Sequence, residues 1–377
     1  MIEITQVNDP KEIPLSGDLY TKAFHEGITL SALLETINPT QPGDDSGIDA
    51  FGRQLKRFGI VTKNDPAHGI YASQGKLFFS SNQPSSIVLF PEYINRRINV
   101  ALMERGDLLQ YIVPADHWEY GSTFRSFYMD DTEIQRRGGK RAEGAPPRKI
   151  KASWSEKHVH IEDFALEVDA SYEFISEATL PVLDVMLQRV ALQRSLDELG
   201  EAIYVALNGD GTGKESSGAH VDTLSDMGVT TPSGIESLDF KAWLKWQSQF
   251  YPYKMTSIFG SVADLVDFYT MTTPSDQTYP MLSAIFETSG VGGKPVFVQS
   301  PFGPVNLIPF SDSDILGTDD ILGVDPAFAL WGHRNTQIPL VETDRLIREK
   351  WQIFVISNKV GFSNLFRAAT RKLDGDA

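Results

Sequence analysis

The sequence predicts an α+β fold, and three observations carry that expectation. A single stretch, Leu180 to Leu207, holds no helix breaker except Pro181 and reads as one helix of about 28 residues, roughly 42 Å long at 1.5 Å per residue. A strand-like run from Thr123 to Ile134 faces another from Ile150 to Val168 across a turn rich in glycine and proline, the pattern of a long β-hairpin. Beyond a glycine loop, Asn208-Gly209-Asp210-Gly211-Thr212-Gly213-Lys214, helical and strand patterns alternate to about residue 340, as in a compact α/β unit.

The long helix is the beam on which other elements are expected to lie. Pro181 falls in the first turn, where its missing N–H would have had no partner, and Thr179 is placed to cap. Val185, Leu192, Leu196, Leu199 and Ile203 share one side, while Leu183, Met186, Leu187 and Val190 occupy the other side in the first half only. The first half therefore needs cover on two faces. The second needs it on one, with Asp197, Glu198 and Glu201 outward.

Composition sets the outer limits. The chain has 377 residues, 41% apolar and 22% charged, enough for a large core and one or two domains. Its net charge of -16 argues against wholesale nucleic-acid binding. It has no cysteine, which excludes disulfides, thiolate metal sites and cysteine nucleophiles. The start, MIEITQVNDPKEIPL, lacks a basic stretch followed by an apolar run, and no window approaches a membrane span, so a cytoplasmic site of synthesis is expected.

Taken in order, residues 1 to about 90 are broken by Pro10, Pro14, Pro39, Pro42, Pro66 and Pro84, and are expected to form an extended arm with two short helices, Thr29 to Ile37 and Asp49 to Phe58. A helix starts after Pro91 and stops at Gly106. Leu108 to Val113 reads as a short apolar strand closed by Pro114. The hairpin exceeds the usual strand length and, standing alone, would be unstable, so it needs a partner surface. Its turn is strongly basic: Arg136, Arg137, Lys140, Arg141, Arg148, Lys149 and Lys151 against Glu143 give a local +6, which leaves -22 for the remainder. A basic finger on an acidic body attracts another copy of that body, although charge runs are most often simply solvated. In the α/β unit, Leu238 to Phe250 and Ser261 to Met271 read as helices, the second capped by Ser261. Thr256 to Phe259, Pro295 to Gln299, Val305 to Ile308 and Phe328 to Trp331 read as strands. Gln352 to Ile356 is a further apolar strand, followed by a terminal segment, Phe362 to Leu373.

Motifs for chemistry are weak. The glycine loop fails as a phosphate-binding loop, since Asn208 stands at the first glycine position and Glu215 at the hydroxyl position, and it follows a helix instead of a strand. His158 and His160 share a strand face but have no third ligand nearby. Asp312, Asp314, Asp319 and Asp320 lack the spacing of a calcium loop and suit turns. No catalytic residue, metal site or cofactor is expected, and no nucleophile with a base stands out.

The succession LFPEYI with its helix, the hairpin carrying AEGAPP, ISEATL leading into a long helix that ends in LNGDGTG, the α/β insert, and the closing ALWGHRNTQIPLVETDRLIREKWQIFVISNKVGF resembles the major capsid proteins of tailed double-stranded-DNA bacteriophages, which have the Hong Kong ninety-seven fold. The resemblance covers roughly residues 88 to 377. It implies an N-terminal arm (1–88), a peripheral domain (89–121, 169–214 and 341–377) with spine helix 180–207, an extended hairpin loop (122–168) that reaches over a neighbouring subunit, and an axial domain (215–340). It implies a structural protein of the virion capsid, not an enzyme, which assembles in the host bacterial cytoplasm with copies of itself. These form pentamers and hexamers of an icosahedral shell around double-stranded DNA, without sequence-specific binding and without a membrane. A separate scaffolding protein, a portal and decoration proteins are the further partners implied. Some relatives form Lys–Asn crosslinks, for which Lys149 or Lys151 with Asn358 or Asn364 are the candidates. An encapsulin-like cargo shell, or an α/β enzyme of unknown substrate, are the alternatives.

Overall fold

The computed structural model describes residues 9–10, 13–40, 48–62, 73, 75–79, 84–105, 108–114, 116–119, 121–129, 143, 152–211, 218–230, 233–270, 272–273, 276–280, 296–300, 302–335, 340–346 and 350–375. The helices in chain order are α1 (Asp18–Glu26), α2 (Leu30–Ile37), α3 (Ala50–Arg57), α4 (Phe90–Arg105), α5 (Tyr172–Glu177), α6 (Leu180–Asn208), α7 (Leu224–Met227), α8 (Phe240–Ser248) and α9 (Val262–Thr270). The strands are β1 (Asp116–Glu119), β2 (Thr123–Met129), β3 (Ala152–His160), β4 (Glu162–Ser171), β5 (His220–Thr223), β6 (Ser257–Gly260), β7 (Thr272–Thr273), β8 (Asp276–Pro280), β9 (Val296–Ser300), β10 (Gly303–Pro309), β11 (Asp320–Val324), β12 (Leu330–Asn335), β13 (Leu340–Leu346), β14 (Trp351–Asn364) and β15 (Thr370–Asp374). Helices and sheets are mixed, as an α+β fold requires. The chain divides into two compact units, one of Met1–Glu104, Asp163–Arg194 and Thr336–Asn358, the other of Arg105–Glu162, Ser195–Asn335 and Lys359–Ala377.

In the first unit, residues 13–60 are not the extended arm expected from their prolines. They fold as α1, α2 and α3 and bury Leu19, Ala23, Leu30, Leu33, Leu34, Phe51 and Leu55 in one core with Ile94 and Ile98 of α4 and with Leu183 and Leu187 of α6. Pro14 and Pro39 fall outside the helices, so they delimit the helices instead of extending the chain. Thr29 caps α2 by accepting from Ala32 N at 3.2 Å, and Asp49 caps α3 by accepting from Gly52 N at 2.9 Å, as their residue types predict. Glu35 accepts from Thr40 N at 2.6 Å and Ala50 N at 2.9 Å, and these bonds hold its carboxyl below the usual carboxylate range. On α4, Tyr93 donates to Asp184 at 2.6 Å and Arg97 pairs with the same carboxylate at 2.8 Å, which locks α4 against α6. Burial, then the bond to Asp184, raises the Tyr93 phenol. Leu180, Leu183, Leu187, Val190 and Ala191 are buried, but Val182 and Val185 stay 51% and 66% exposed. The first half of α6 is thus covered on one face, not the two that its apolar pattern demands. In the same unit β13 runs antiparallel to the start of β14, from Leu340↔Ser357 to Leu346↔Trp351, and β4 also pairs with β14.

In the second unit a six-stranded sheet has the order β5-β15-β11-β6-β10-β9. Trp243, Trp246 and Phe250 of α8 and its C-terminal turn, with Leu265 and Phe268 of α9, are buried with Ile258, Val305, Leu307 and Ile321 of the sheet. α9 starts after the expected cap Ser261, whereas α8 starts at Phe240, two residues past the expected Leu238, because Asp239 takes the cap. Asp239 accepts from Ala242 N at 2.6 Å, and Ser261 and Asp264 cap reciprocally at 3.2 and 3.3 Å. β15 lies inside this sheet, parallel to β5 and antiparallel to β11, so the last strand belongs to the α/β unit and not with β14 as expected. The physical reason is a chain reversal at Arg367–Ala369 and the burial of Leu373 among the α8 and α9 residues. Leu108–Tyr111 is a 3-10 turn and not a strand, because an apolar run of that length has no periodicity to separate the two.

Candidate assembly surfaces

The hairpin is present. β2 and β3 pair antiparallel from Thr123↔His160 to Met129↔Ala152, with a bulge after Arg125. The expected single strand to Val168 is broken at Ile161, after which β4 pairs with β14 instead. The seven basic residues Arg136, Arg137, Lys140, Arg141, Arg148, Lys149 and Lys151 lie outside the described residues.

The root of the hairpin is held by residues distant in sequence. β1, just ahead of it, runs parallel to β12 from Asp116↔Gly332 to Glu119↔Asn335. Arg334 on β12 reaches Asp116 at 2.5 Å and Glu198 of α6 at 3.0 Å, so Glu198 is buried in an ion network and does not point outward as its helical position suggests. Burial opposes the charge on Arg334, but Glu198 and Asp116 outweigh it and raise the guanidinium's pKa above its ordinary value. Asn335 donates to Gly121 O at 2.8 Å, and Ile161 N to Ser122 O at 2.9 Å, closing both legs. Phe124 packs with Val159 and Ile161 and stacks on His333, ring centroids 3.4 Å apart. Gly361 of β14 lies so close that a Cβ there would meet His160 O at 2.9 Å and the Phe124 ring at 3.1 Å, so only glycine fits beneath the root. Burial, then His117, lowers the pKa of His333 to about 4, which keeps it neutral at physiological pH.

Trp154, further along β3, is 61% exposed, and Arg125, His158 and His160, next to the root, are exposed too. The two histidines do share a strand face, with Arg125 Nε 3.4 Å from His158. Among the described residues no group of three or more His, Asp or Glu could hold a metal ion. Asp312 accepts from Asp314 N at 3.1 Å and Asp320 pairs with Lys372 at 2.6 Å, the turn and ion-pair roles that compete with calcium binding. Asn358 and Asn364 are both buried, and the Asn364 amide donates to Val205 O at 3.2 Å, which ties it to the end of α6. That end is the left-handed glycine cap the sequence predicts, with Gly209 at φ 85° donating to Val205 O at 2.7 Å.

Two features escaped sequence reasoning. Glu162 and Glu201, which belong to different elements, approach closely enough that burial and then Glu162's charge raise the Glu201 carboxyl. The outward face of β4 is the second: Asp163, Ala165, Glu167 and Asp169 are exposed, while Leu166 and Val168 turn toward the core.

No protein-family model and no curated protein matches the chain. Solved structures do. It is similar to the capsid of an empty GTA particle, at 13% identity over 71% of this chain and 88% of that one, TM-score 0.45. It is also similar to the virus-like particle from Pyrococcus furiosus, at 10% identity over 75% and 98%, TM-score 0.45. A third is the capsid of Myoviridae phage XM1, at 13% identity over 71% and 90%, TM-score 0.39.

Proposed function

We propose that this chain is a structural shell subunit, the major capsid protein of a tailed phage, which assembles with copies of itself into an icosahedral shell of pentamers and hexamers around double-stranded DNA. The observation that carries the reading is the hairpin: it is fixed at its root by Arg334, Asn335, His333 and the space over Gly361, yet Trp154 further along is 61% exposed. A strand pair held at its root, with an exposed aromatic and a strongly basic sequence between its strands, suits contact outside its own chain. Contacts of this kind are individually weak, and closure around a shell sums them. The positive charge of the turn sets register and encounter rate more than affinity.

The test is size-exclusion chromatography and electron microscopy of the expressed chain, alone and with its scaffolding partner. Shells or rings of five or six support the reading. A stable small oligomer under every condition overturns it. Replacing Arg136, Arg137, Lys140 and Arg141 by glutamate is expected to block assembly and leave the subunit folded.

A further inference from the structure

We propose that His220, Arg367 and Arg371, at the β5 border of the six-stranded sheet, form a site for a phosphate group. The shell reading above makes the backbone of enclosed DNA one source of that group, and free phosphate ion is the other.

The sheet brings the three residues together. β5 is its edge strand, and β15 pairs with it in parallel, Arg371 beside His220. In such a pair both side chains stand on one face, and alternation adds Asp222 and Leu373 to it. Leu373 is buried with the α8 and α9 residues, and Trp246 of α8 donates to Asp222 Oδ2 at 3.2 Å, so this is the face under the helices. Arg367, in the turn before β15, donates from Nε to Gly218 O at 2.9 Å, two residues ahead of His220. His220 and Arg367 are half-buried, within reach of a ligand from solvent.

Two further observations mark the ligand as an anion. Arg371 Nη1 bonds both Asp222 oxygens, at 2.9 and 3.0 Å, which fixes the guanidinium. Its Nε is buried and has no hydrogen-bond partner among the described residues, so a donor is left over for an acceptor. The field is positive in spite of Asp222: after burial, Arg367 and Arg371 each push the His220 pKa below its ordinary value more than Asp222 raises it. An oxyanion seated among them meets two guanidiniums and an imidazole, a donor set that suits phosphate. One such contact, not wholesale binding, is what a chain of net charge -16 allows. A contact to backbone phosphate carries no sequence information.

The experiment follows the His220 imidazole by NMR in the full chain before assembly, its signal assigned through His220→Gln, while inorganic phosphate or a short DNA duplex is added at constant ionic strength. The bound group is expected to raise the His220 midpoint by about one pH unit. Movement with the duplex names the backbone as ligand, and movement with phosphate alone names the free ion. Arg367→Gln is expected to weaken binding about tenfold and, for the duplex, to lower the salt slope by about one. Lys372→Gln, on the other face of β15 and paired with Asp320, changes neither. Should Arg367→Gln lose the fold, Arg367→Lys, which keeps the charge without the fork, weakens binding by less. The proposal is overturned if neither ligand moves His220, or if the Arg367 variants respond as the unaltered chain does. A response to phosphate in a chain that never forms shells keeps this site and removes the shell reading.

Discussion

The N-terminal helices and the hairpin are both segments that sequence reasoning sends outward, and they end differently. Residues 13–60 bury Leu30, Leu33, Leu34, Ala50 and Phe51 at 2% exposure or less, while the hairpin's own buried cluster is Phe124, Val159 and Ile161, all at its root. Each buried leucine or phenylalanine contributes roughly 1.5–3 kcal/mol, so the first segment stabilises itself and the second depends on what its root touches. The number of apolar positions that find cover, not the density of prolines, decides whether a segment folds on itself.

Phe51→Ala breaks the comparison most severely, because it empties the N-terminal core. The expected loss is about 3–5 kcal/mol, read from chemical denaturation of the subunit. Arg334→Ala acts on the other segment. It strands Glu198 and Asp116 without their cation and is expected to cost about 3 kcal/mol or more, with faster proteolysis of the hairpin than of residues 13–60; equal cleavage of both would deny the hairpin its dependence on the root.

A smaller effect comes with acid. His333 titrates at about 4 in the folded chain against an ordinary 6.5. As pH falls below about 6.5 the unfolded chain takes up a proton the folded one refuses, so stability is intact above that value and is lost progressively toward pH 4. Melting temperatures measured across this window should decline less steeply in His333→Phe, and parallel slopes would remove the histidine from the account. The smallest effect on the subunit belongs to Trp154→Ala, which should change its stability by under about 0.5 kcal/mol and still weaken assembly.

Local pattern was legible and distant partnership was not. The bounds of α6 followed from a long run without breakers, and Thr29, Asp49 and Ser261 stand at the starts expected for their helices. α1 was not legible because a nine-residue helix with no side-chain cap and only Leu19 and Ala23 buried carries too short an apolar pattern before the left-handed Gly27 that ends it. The seven basic residues from Arg136 to Lys151 are read from the sequence and lie outside the described residues. Arg334 meets Glu198 across 136 residues and Asp116 across 218, separations at which no spacing rule operates, and for the same reason the sequence aimed Glu198 at solvent. The β4 face was half visible: its alternation could be read, but the break at Ile161 that frees it from the hairpin could not.

The position of β15 also bears on synthesis. Between β5 and β11 the sheet has a gap that only residues 370–374 fill, so while the ribosome is still making the chain this unit carries two open strand edges. A chain that stops before residue 370 leaves both edges unpaired, a template for pairing with other chains and a target for proteases.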